Sequence, residues 1–335
     1  LLGFGIVAMG WSLVITSVIA LIASWVSFRM RCTNTRLHFH NICFSKFKLL
    51  FYFGLTVVLC GMSEVLTHES PKQIVAKLIS LEAVGFYGIA ALIMSYYRHA
   101  VYAMSKVFMP RFSYLSGRNA HGEIQRLFMN ASKYTALLSS MLALLIWCVG
   151  PSFLQLWLNK DFSKTTPVLM ILTFSTMVIS TFRLSIDLLY GLGKQLYISV
   201  VASIEGLFIF GLALILSFQY GLIGVALGVA VPIIIIRILF QIYACHLVNV
   251  PFVLQAKTYL IPWIITGGLT AIYYLLDVAS HMGNWLGLIA LSTIIALSYV
   301  LLIIVIVLER PQREYITRLF FRVYEVCRNF LWAIF

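Results

Sequence analysis

Nine long apolar segments dominate this sequence and leave few folds open to it. Each approaches or exceeds the roughly 20 apolar residues that a helix needs to cross a bilayer. They cover approximately residues 3–28, 47–66, 84–109, 134–157, 167–190, 196–218, 221–245, 258–277 and 284–308. Hydrocarbon offers no water to the backbone, so spanning segments form helices, which satisfy their own hydrogen bonds. The pattern predicts an all-α, polytopic membrane protein with about nine transmembrane helices.

Composition excludes the soluble classes of protein. The chain is 61% hydrophobic and only 10% charged, and its mean hydropathy is +0.98. Its net charge of +13 does not indicate a nucleic-acid partner, because the basic residues border apolar spans and suit an anionic membrane face. The six scattered cysteines contain no C-x-x-C pair, so neither a disulfide framework nor a zinc site is expected. We expect no cofactor and no metal.

Most of the basic residues between the segments lie in every second connecting loop; the loops that connect successive segments are here called joints. Sixteen arginines and lysines lie in the odd-numbered joints and the tail, against four in the even-numbered joints. Cytoplasmic loops carry such an excess, so we expect the odd joints and the C-terminus in the cytoplasm. The tail, residues 309–335, places charged and apolar residues on different sides of a helix. It is typical of an amphipathic helix on the inner leaflet, either as an anchor or as a docking element.

Six ionisable residues interrupt the apolar segments. Charges near the bilayer centre cost about 2.5–3.5 kcal/mol on insertion scales and usually face a bundle interior or a wet cavity. The six are Glu64, Arg98, Arg183, Asp187, Glu205 and Arg237. Counting residues from the predicted helix ends places Arg98 and Glu205 near mid-membrane and Glu64 near the outer surface. It places Arg183 and Asp187 within two turns of the cytoplasmic end.

Two of the segments carry a continuous stripe of small or polar residues at helical spacing. The stripe on the fifth segment consists of Thr173, Thr176, Ser180, Arg183, Asp187 and Tyr190. The stripe on the third consists of Gly88, Ala91, Ser95, Arg98, Tyr102 and Ser105. Side chains three and four residues apart share a helix face, and lipid does not favour such faces. We therefore expect both stripes to face a wet cavity or a close helix contact.

The charged members of these stripes allow structural and functional interpretations. Arg183 and Asp187 can pair at i and i+4, either to fix packing or to line an inward-opening cavity that meets an anionic head group. Arg98 has no acid at i±3 or i±4, which favours a substrate role. Glu205 is either a partner for an arginine on another helix or a proton or cation site. Arg237 is interpreted as snorkelling to the interface.

The chain resembles the polysaccharide-exporter family, which includes O-antigen and lipid-linked oligosaccharide flippases and shares a superfamily with multidrug extrusion transporters. The resemblance covers roughly residues 45–245, and it depends on several loose patterns taken together and not on one motif. The segments that carry it are LEAVGFYGIAALIMS, VFMPRFSYLSG, GPSFLQLWLNKDF, VLMILTFSTMV, YGLGKQ and YGLIGVALGVAVP.

The resemblance implies a specific organisation of two lobes. Residues 1–28 would be the last helix of an N-terminally truncated N-lobe, followed by a basic cytoplasmic loop at 29–46. Residues 47–245 would form the six-helix C-lobe, residues 246–308 two extra transmembrane helices, and residues 309–335 the tail. The family provides no motif that matches Arg98, Arg183 or Asp187, so their roles depend on depth and helix face.

The function expected is a transporter, not an enzyme, that flips a polyprenyl-diphosphate-linked oligosaccharide across the cytoplasmic (inner) membrane by alternating access. Partners would be that substrate, membrane lipids and a polysaccharide polymerase machinery. Three alternatives stay open: a cation-coupled multidrug exporter of the same fold, a membrane glycosyltransferase or polymerase acting on lipid-linked glycans, and a scaffold without transport. The residues expected to contact substrate are Arg98, Arg183, Asp187, Ser95, Tyr102 and Ser180, with Glu205 as a coupling or ion-pair residue.

Overall fold

A computed structural model describes residues 5–31, 44–158, 165–276 and 284–307, and this part of the chain is helical with no strand. The all-α prediction is therefore confirmed. Eleven helices follow one another as α1 (Gly5–Arg31), α2 (Phe44–His68), α3 (Ser70–Leu78), α4 (Leu81–Ser105), α5 (Phe108–Gly117), α6 (His121–Leu158), α7 (Thr165–Thr181), α8 (Arg183–Gly191), α9 (Gln195–Leu247), α10 (Phe252–Leu275) and α11 (Trp285–Ile306). The predicted tail helix lies outside the described residues.

Seven helical stretches in the described residues are long and apolar enough to cross a membrane. One of them, the 53-residue α9, contains two of the nine predicted segments, because the chain turns at Gly221 (φ 56°, ψ −131°). Helix α4 corresponds to the predicted segment 84–109 but is not among the seven. Its polar face, which includes Arg98, lowers its hydropathy.

The two halves of α9 pack as an antiparallel hairpin around Gly221. Glycine tolerates the positive φ that this turn requires. Near the turn, Gly224 lies against the backbone of Leu216, and Gly228 lies against Ala213. A Cβ atom at Gly228 would come within 2.9 Å of the Ala213 Cβ and would also overlap the Ala213 backbone. Small residues thus allow the two halves to approach closely, as is common where helices meet in a membrane.

Helices α2 and α3 form one bent apolar run that is longer than predicted. The predicted span ended at residue 66, but the run extends to Leu78. It bends at Glu69, and α3 begins beyond it with a proline in its first turn, where proline costs no hydrogen bond. The run ends twelve residues beyond the predicted end at residue 66, so the depth of a residue on α2 cannot be counted from residue 66.

Helix α2 runs parallel to the first half of α9, which fixes the level of Glu64. Cys60 Sγ lies 3.1 Å from Ser199 Oγ, and Ser63 Oγ lies 3.0 Å from Ser203 Oγ. Glu64 therefore lies about level with Ser203, nine residues into α9. The prediction that Glu64 lies near the outer surface was counted from residue 66, but the helical run that carries it continues to Leu78, so that count no longer supports it.

The structure divides into two compact units, Leu1–Gly54 and Leu55–Phe335. In the first unit, the described side chains of α1 are exposed. In the second, one apolar core joins α3, α4, α6, α7 and α9, and another joins α6 to α10 and α11. Buried hydrogen bonds also link α9 to α10, with Gln241 Nε2 donating to the Tyr259 hydroxyl at 2.9 Å. The predicted two-lobe boundaries remain predictions.

Candidate functional site

Two neighbouring cavities open between the helices of the unit Leu55–Phe335. The first, here called the arginine cavity, has a volume of about 390 Å³ and is lined by Arg98, Arg183 and Arg237 among others. The second, the serine cavity, has a volume of about 530 Å³ and is lined by Ser95 and Ser175 among others. Thr67, His68 and Arg98 border both cavities. Each volume falls in the range of about 300–1,000 Å³ that is usual for ligand sites.

The stripe on α4 faces these cavities along most of its length. Gly88, Ala91 and Ser95 line the serine cavity, and Tyr102 lines the arginine cavity. Arg98 lies between them and borders both. Ser105, at the end of the stripe, is buried instead. The small side chains before Arg98 leave the space that the serine cavity occupies.

Arg98 carries a charge that the described part of the chain does not neutralise. It lies about two turns before the end of α4 and is partly exposed to the cavities. The ion pairs found among the described residues involve three other basic side chains, and no described side chain accepts a hydrogen bond from Arg98. A guanidinium carries five donors in a planar fork that matches phosphate and carboxylate. Arg98 can therefore bind an anionic group without first losing a partner.

Arg183 differs from Arg98 because it is held on two sides. Its Nη2 lies 2.9 Å from Asp187 Oδ1, and its Cζ lies 4.2 Å from the centre of the Tyr102 ring. Of the side-chain surface, 19% stays exposed on Arg183 but only 1% on Asp187. Arg183 lines the arginine cavity, whereas Asp187 lies behind it. Asp187 can influence a bound group only through Arg183.

Glu205 forms an ion pair across the α9 hairpin. Arg237 Nη2 donates to Glu205 Oε2 at 2.9 Å and to Oε1 at 3.1 Å. Both residues line the arginine cavity. Of the two interpretations of Glu205, the structure shows the one in which an arginine on another helical segment is its partner. The interpretation of Arg237 as a snorkelling interface residue was wrong, because its guanidinium turns inward to this carboxylate.

The stripe on the fifth predicted segment serves two purposes. The chain forms α7 and α8 there, with a slight irregularity at Phe182 between them. Thr176 lines the serine cavity, and Arg183 and Tyr190 line the arginine cavity. Thr173 and Ser180 are fully buried, and the Ser180 hydroxyl has no hydrogen-bond partner among the described residues. This part of the stripe makes helix contacts, and a substrate contact by Ser180 stays a prediction.

Three further ionisable residues belong to the arginine cavity but were not among the residues expected to contact substrate. They are Glu64, His68 and His99. Glu64 and His68 are four residues apart on α2, so they share a face. The spacing analysis did not identify His68, because this residue follows residue 66, the predicted end of its transmembrane segment. His99 Nδ1 lies 2.7 Å from the Ser95 carbonyl oxygen, which is local bonding within α4.

The site offers hydrogen-bonding groups and charge to a polar ligand. Within the described residues, no group of three or more His, Cys, Asp or Glu side chains is placed to hold a metal ion. The walls combine guanidinium groups, carboxylates and hydroxyls inside an otherwise apolar bundle. Such a lining can replace water around a polar group, which apolar helices alone cannot do.

The comparisons with known proteins concern the first half of the chain. Residues 1–167 match the family model described as polysaccharide biosynthesis protein. The matched part includes Ser95, Arg98 and Tyr102, while Arg183, Asp187 and Glu205 lie beyond it. Neither the curated proteins nor the solved structures gave a match to the chain. The family match broadly supports the polysaccharide exporter and flippase family, and with it a role for this membrane-embedded protein in polysaccharide biosynthesis or export.

Proposed function

We propose that this protein is a transporter that flips a polyprenyl-diphosphate-linked oligosaccharide across the cytoplasmic membrane. The observation that carries the proposal is the position of Arg98, an arginine without an ionic partner among the described residues, at the border of the two cavities. The family match of residues 1–167 supports a polysaccharide as the cargo. An anionic lipid-linked glycan needs a cation to bind its phosphates and hydrogen-bonding groups to bind its sugars.

The physical task defines the role of each cavity. The sugars and the diphosphate cannot enter hydrocarbon without losing their water, whereas the polyprenyl chain can stay in the lipid. Arg98 would bind the diphosphate, because the guanidinium fork donates paired hydrogen bonds to phosphate oxygens. Arg183 would add a second, weaker contact, because Asp187 and Tyr102 already hold it. The serine cavity, and the part of the arginine cavity beside Glu64, would take sugar hydroxyls.

Alternating access would move the substrate from the inner to the outer leaflet. Transporters of this kind open a central site first to one side and then to the other by rocking helical bundles. The positive-inside rule supports an orientation with the odd joints and the C-terminus in the cytoplasm. Membrane lipids and the polysaccharide polymerase machinery would be partners in the same membrane.

Two other functions make different demands on the site. A cation-coupled drug exporter needs a carboxylate that is free to bind and release its ion. Glu205 is already engaged by Arg237, so such an exporter would have to use Glu64. A glycosyltransferase or polymerase would change the mass of the lipid-linked glycan, and the even-numbered joints are short for such an enzyme. These two functions therefore give outcomes that a transport assay can separate.

The test is reconstitution of the protein into vesicles that contain a fluorescent polyprenyl-diphosphate oligosaccharide. An impermeant quencher reports the fraction of label in the outer leaflet, and mass spectrometry reports the glycan. The proposal predicts rapid equilibration between leaflets with unchanged glycan mass. Equilibration no faster than in protein-free vesicles would contradict it, and so would a change in glycan mass. Efflux of cationic dyes in place of glycan would favour the drug exporter.

A further inference from the structure

The arginine cavity contains nearly balanced charges, most of which are already paired. Arg183 is paired with Asp187 and Arg237 with Glu205, each at 2.9 Å. Two charged side chains of its lining remain, Arg98 and Glu64. Neither forms an ion pair or a hydrogen bond with any residue that the structure describes. The wall therefore presents one open cation and one open anion to whatever enters.

Glu64 is positioned to meet a substrate and not merely to face lipid. Its neighbour Ser63 is bonded to Ser203 on α9 at 3.0 Å, so this part of α2 is fixed against the bundle. Glu64 itself is exposed in that cavity, which it shares with Arg98 and Tyr102. A carboxylate offers acceptors only. It can bind sugar hydroxyls or an ammonium group, but not another carboxylate.

The serine cavity offers no second open cation. Its charged lining residues besides Arg98 are Glu69 and Lys72, which pair with each other at 2.9 Å. The rest of its polar lining consists mainly of serine and threonine hydroxyls, as in Ser95, Ser175 and Thr176. Sugars that extend into this cavity therefore meet hydrogen-bonding groups without net positive charge.

These charges constrain the glycan. Like charges a few ångströms apart repel by about 4 kcal/mol at the effective dielectric constant near a protein surface. An acidic sugar beside Glu64 would experience this repulsion with no free guanidinium left to offset it, since Arg98 is occupied by the diphosphate. A neutral sugar or an amino sugar would instead donate hydrogen bonds to Glu64.

We infer that the substrate glycan is neutral or bears an amino group, and that Glu64 is the specificity residue that disfavours polyanionic glycans. The inference rests on the proposed function and narrows its substrate class. The diphosphate is then the single anionic group that the described cavities accommodate, at Arg98. Glu64 selects the sugars that follow it.

The experiment compares three polyprenyl-diphosphate oligosaccharides of equal length in the vesicle assay. One carries neutral hexoses, one a free amino group, and one several uronic acids. For the wild-type protein, the uronic-acid glycan is expected to move at least about tenfold more slowly than the other two. In Glu64→Gln the ratio of uronic-acid to neutral rates should rise at least about fivefold, while the preference for the amino glycan falls.

The controls separate the possible failures. Glu82→Gln removes a carboxylate from the exposed first turn of α4, outside both cavity linings, and should keep the wild-type ratio. Glu64→Ser provides a second variant with the same expected direction if Glu64→Gln inserts poorly. Equal wild-type rates for neutral and uronic-acid glycans would overturn the inference, and so would a ratio that both Glu64 variants leave unchanged. Transport of none of the three would contradict the proposed function itself.

Discussion

Arg237 Nη2 lies 2.9 Å from Glu205 Oε2, although 32 residues separate the two in the sequence. The turn at Gly221 brings them together, because Glu205 precedes it and Arg237 follows it by the same number of residues. The pair is almost buried, with 16% of the Arg237 side chain and 2% of the Glu205 side chain exposed. It joins the two halves of α9 beside the arginine cavity.

Removing one member of this pair should destabilise the protein strongly. Arg237→Gln leaves the Glu205 carboxylate buried without its partner, which typically costs about 3–5 kcal/mol. The double variant Glu205→Gln/Arg237→Gln should recover most of that loss, because no buried charge remains. Denaturant unfolding in mixed micelles measures the free energy of unfolding of all three variants. Losses that simply add in the double variant would show that the two side chains do not interact.

The hairpin itself depends on the absence of a side chain at Gly228. Gly228→Ala would force a Cβ atom into the backbone of Ala213, and overpacking of this kind costs about 1–3 kcal/mol. Gly211→Ala, on the other half of α9, would meet nothing within 4 Å and is the matched control. Thermal unfolding in detergent should show a lower midpoint for Gly228→Ala alone. Equal midpoints for the two variants would contradict the close packing of the halves.

The Tyr102 ring should matter for the position of Arg183. The guanidinium carbon lies 4.2 Å from the ring centre, and a cation–π contact contributes about 0.5–2 kcal/mol. Tyr102→Phe keeps the ring face, whereas Tyr102→Leu removes it. We expect Tyr102→Phe to retain more substrate affinity than Tyr102→Leu, measured as the apparent Km for the lipid-linked glycan. A larger loss in the phenylalanine variant would show that the hydroxyl, and not the ring, is the important contact.

Cys60 provides a test of whether water reaches the arginine cavity. Its thiol lines that cavity, whereas Cys148 and Cys245 are buried elsewhere. In a background where the other three cysteines are replaced by serine, a hydrophilic maleimide should modify Cys60 and leave the other two unmodified. The lipid-linked glycan should slow that modification. Equal reactivity of Cys60 and Cys148, measured by mass spectrometry of peptides, would contradict a wet cavity at this place.

Much of this fold could be predicted from local sequence patterns. Apolar length located the helices, and spacing identified the α4 face that carries Arg98, because both signals depend on neighbours along the chain. The level of Glu64 could not be obtained in this way, since α2 and α3 continue as one bent run to Leu78. Depth counted from an incorrect helix end carries that error to every residue of the helix.

Contacts between segments were harder to predict than helix faces. Arg237 was assigned to the interface because its depth alone suggested snorkelling. Glu205 and Arg237 are separated from Gly221 by the same number of residues in the sequence. An antiparallel hairpin that turns at Gly221 brings such residues together, so this symmetry could have predicted the ion pair. Ser180 shows the opposite case, because its place on a polar stripe did not distinguish a cavity from a helix contact. Only packing determines which of the two a small polar residue faces.

The central claim is that Arg98 binds the anionic part of a transported glycan lipid. Hydrogen bonds to charged groups contribute about 1.5–3 kcal/mol each, so Arg98→Gln should slow translocation at least about tenfold. Arg98→Lys keeps the charge without the fork and should give an intermediate rate. Arg126→Gln removes an exposed arginine from α6, away from both cavity linings, and is the matched control.

The most direct measurement is the initial rate of glycan-lipid translocation for these four proteins in vesicles with equal amounts of inserted protein. The account predicts that wild type and Arg126→Gln are fastest, Arg98→Lys is slower, and Arg98→Gln approaches the rate of protein-free vesicles. Translocation by Arg98→Gln at the wild-type rate would contradict it.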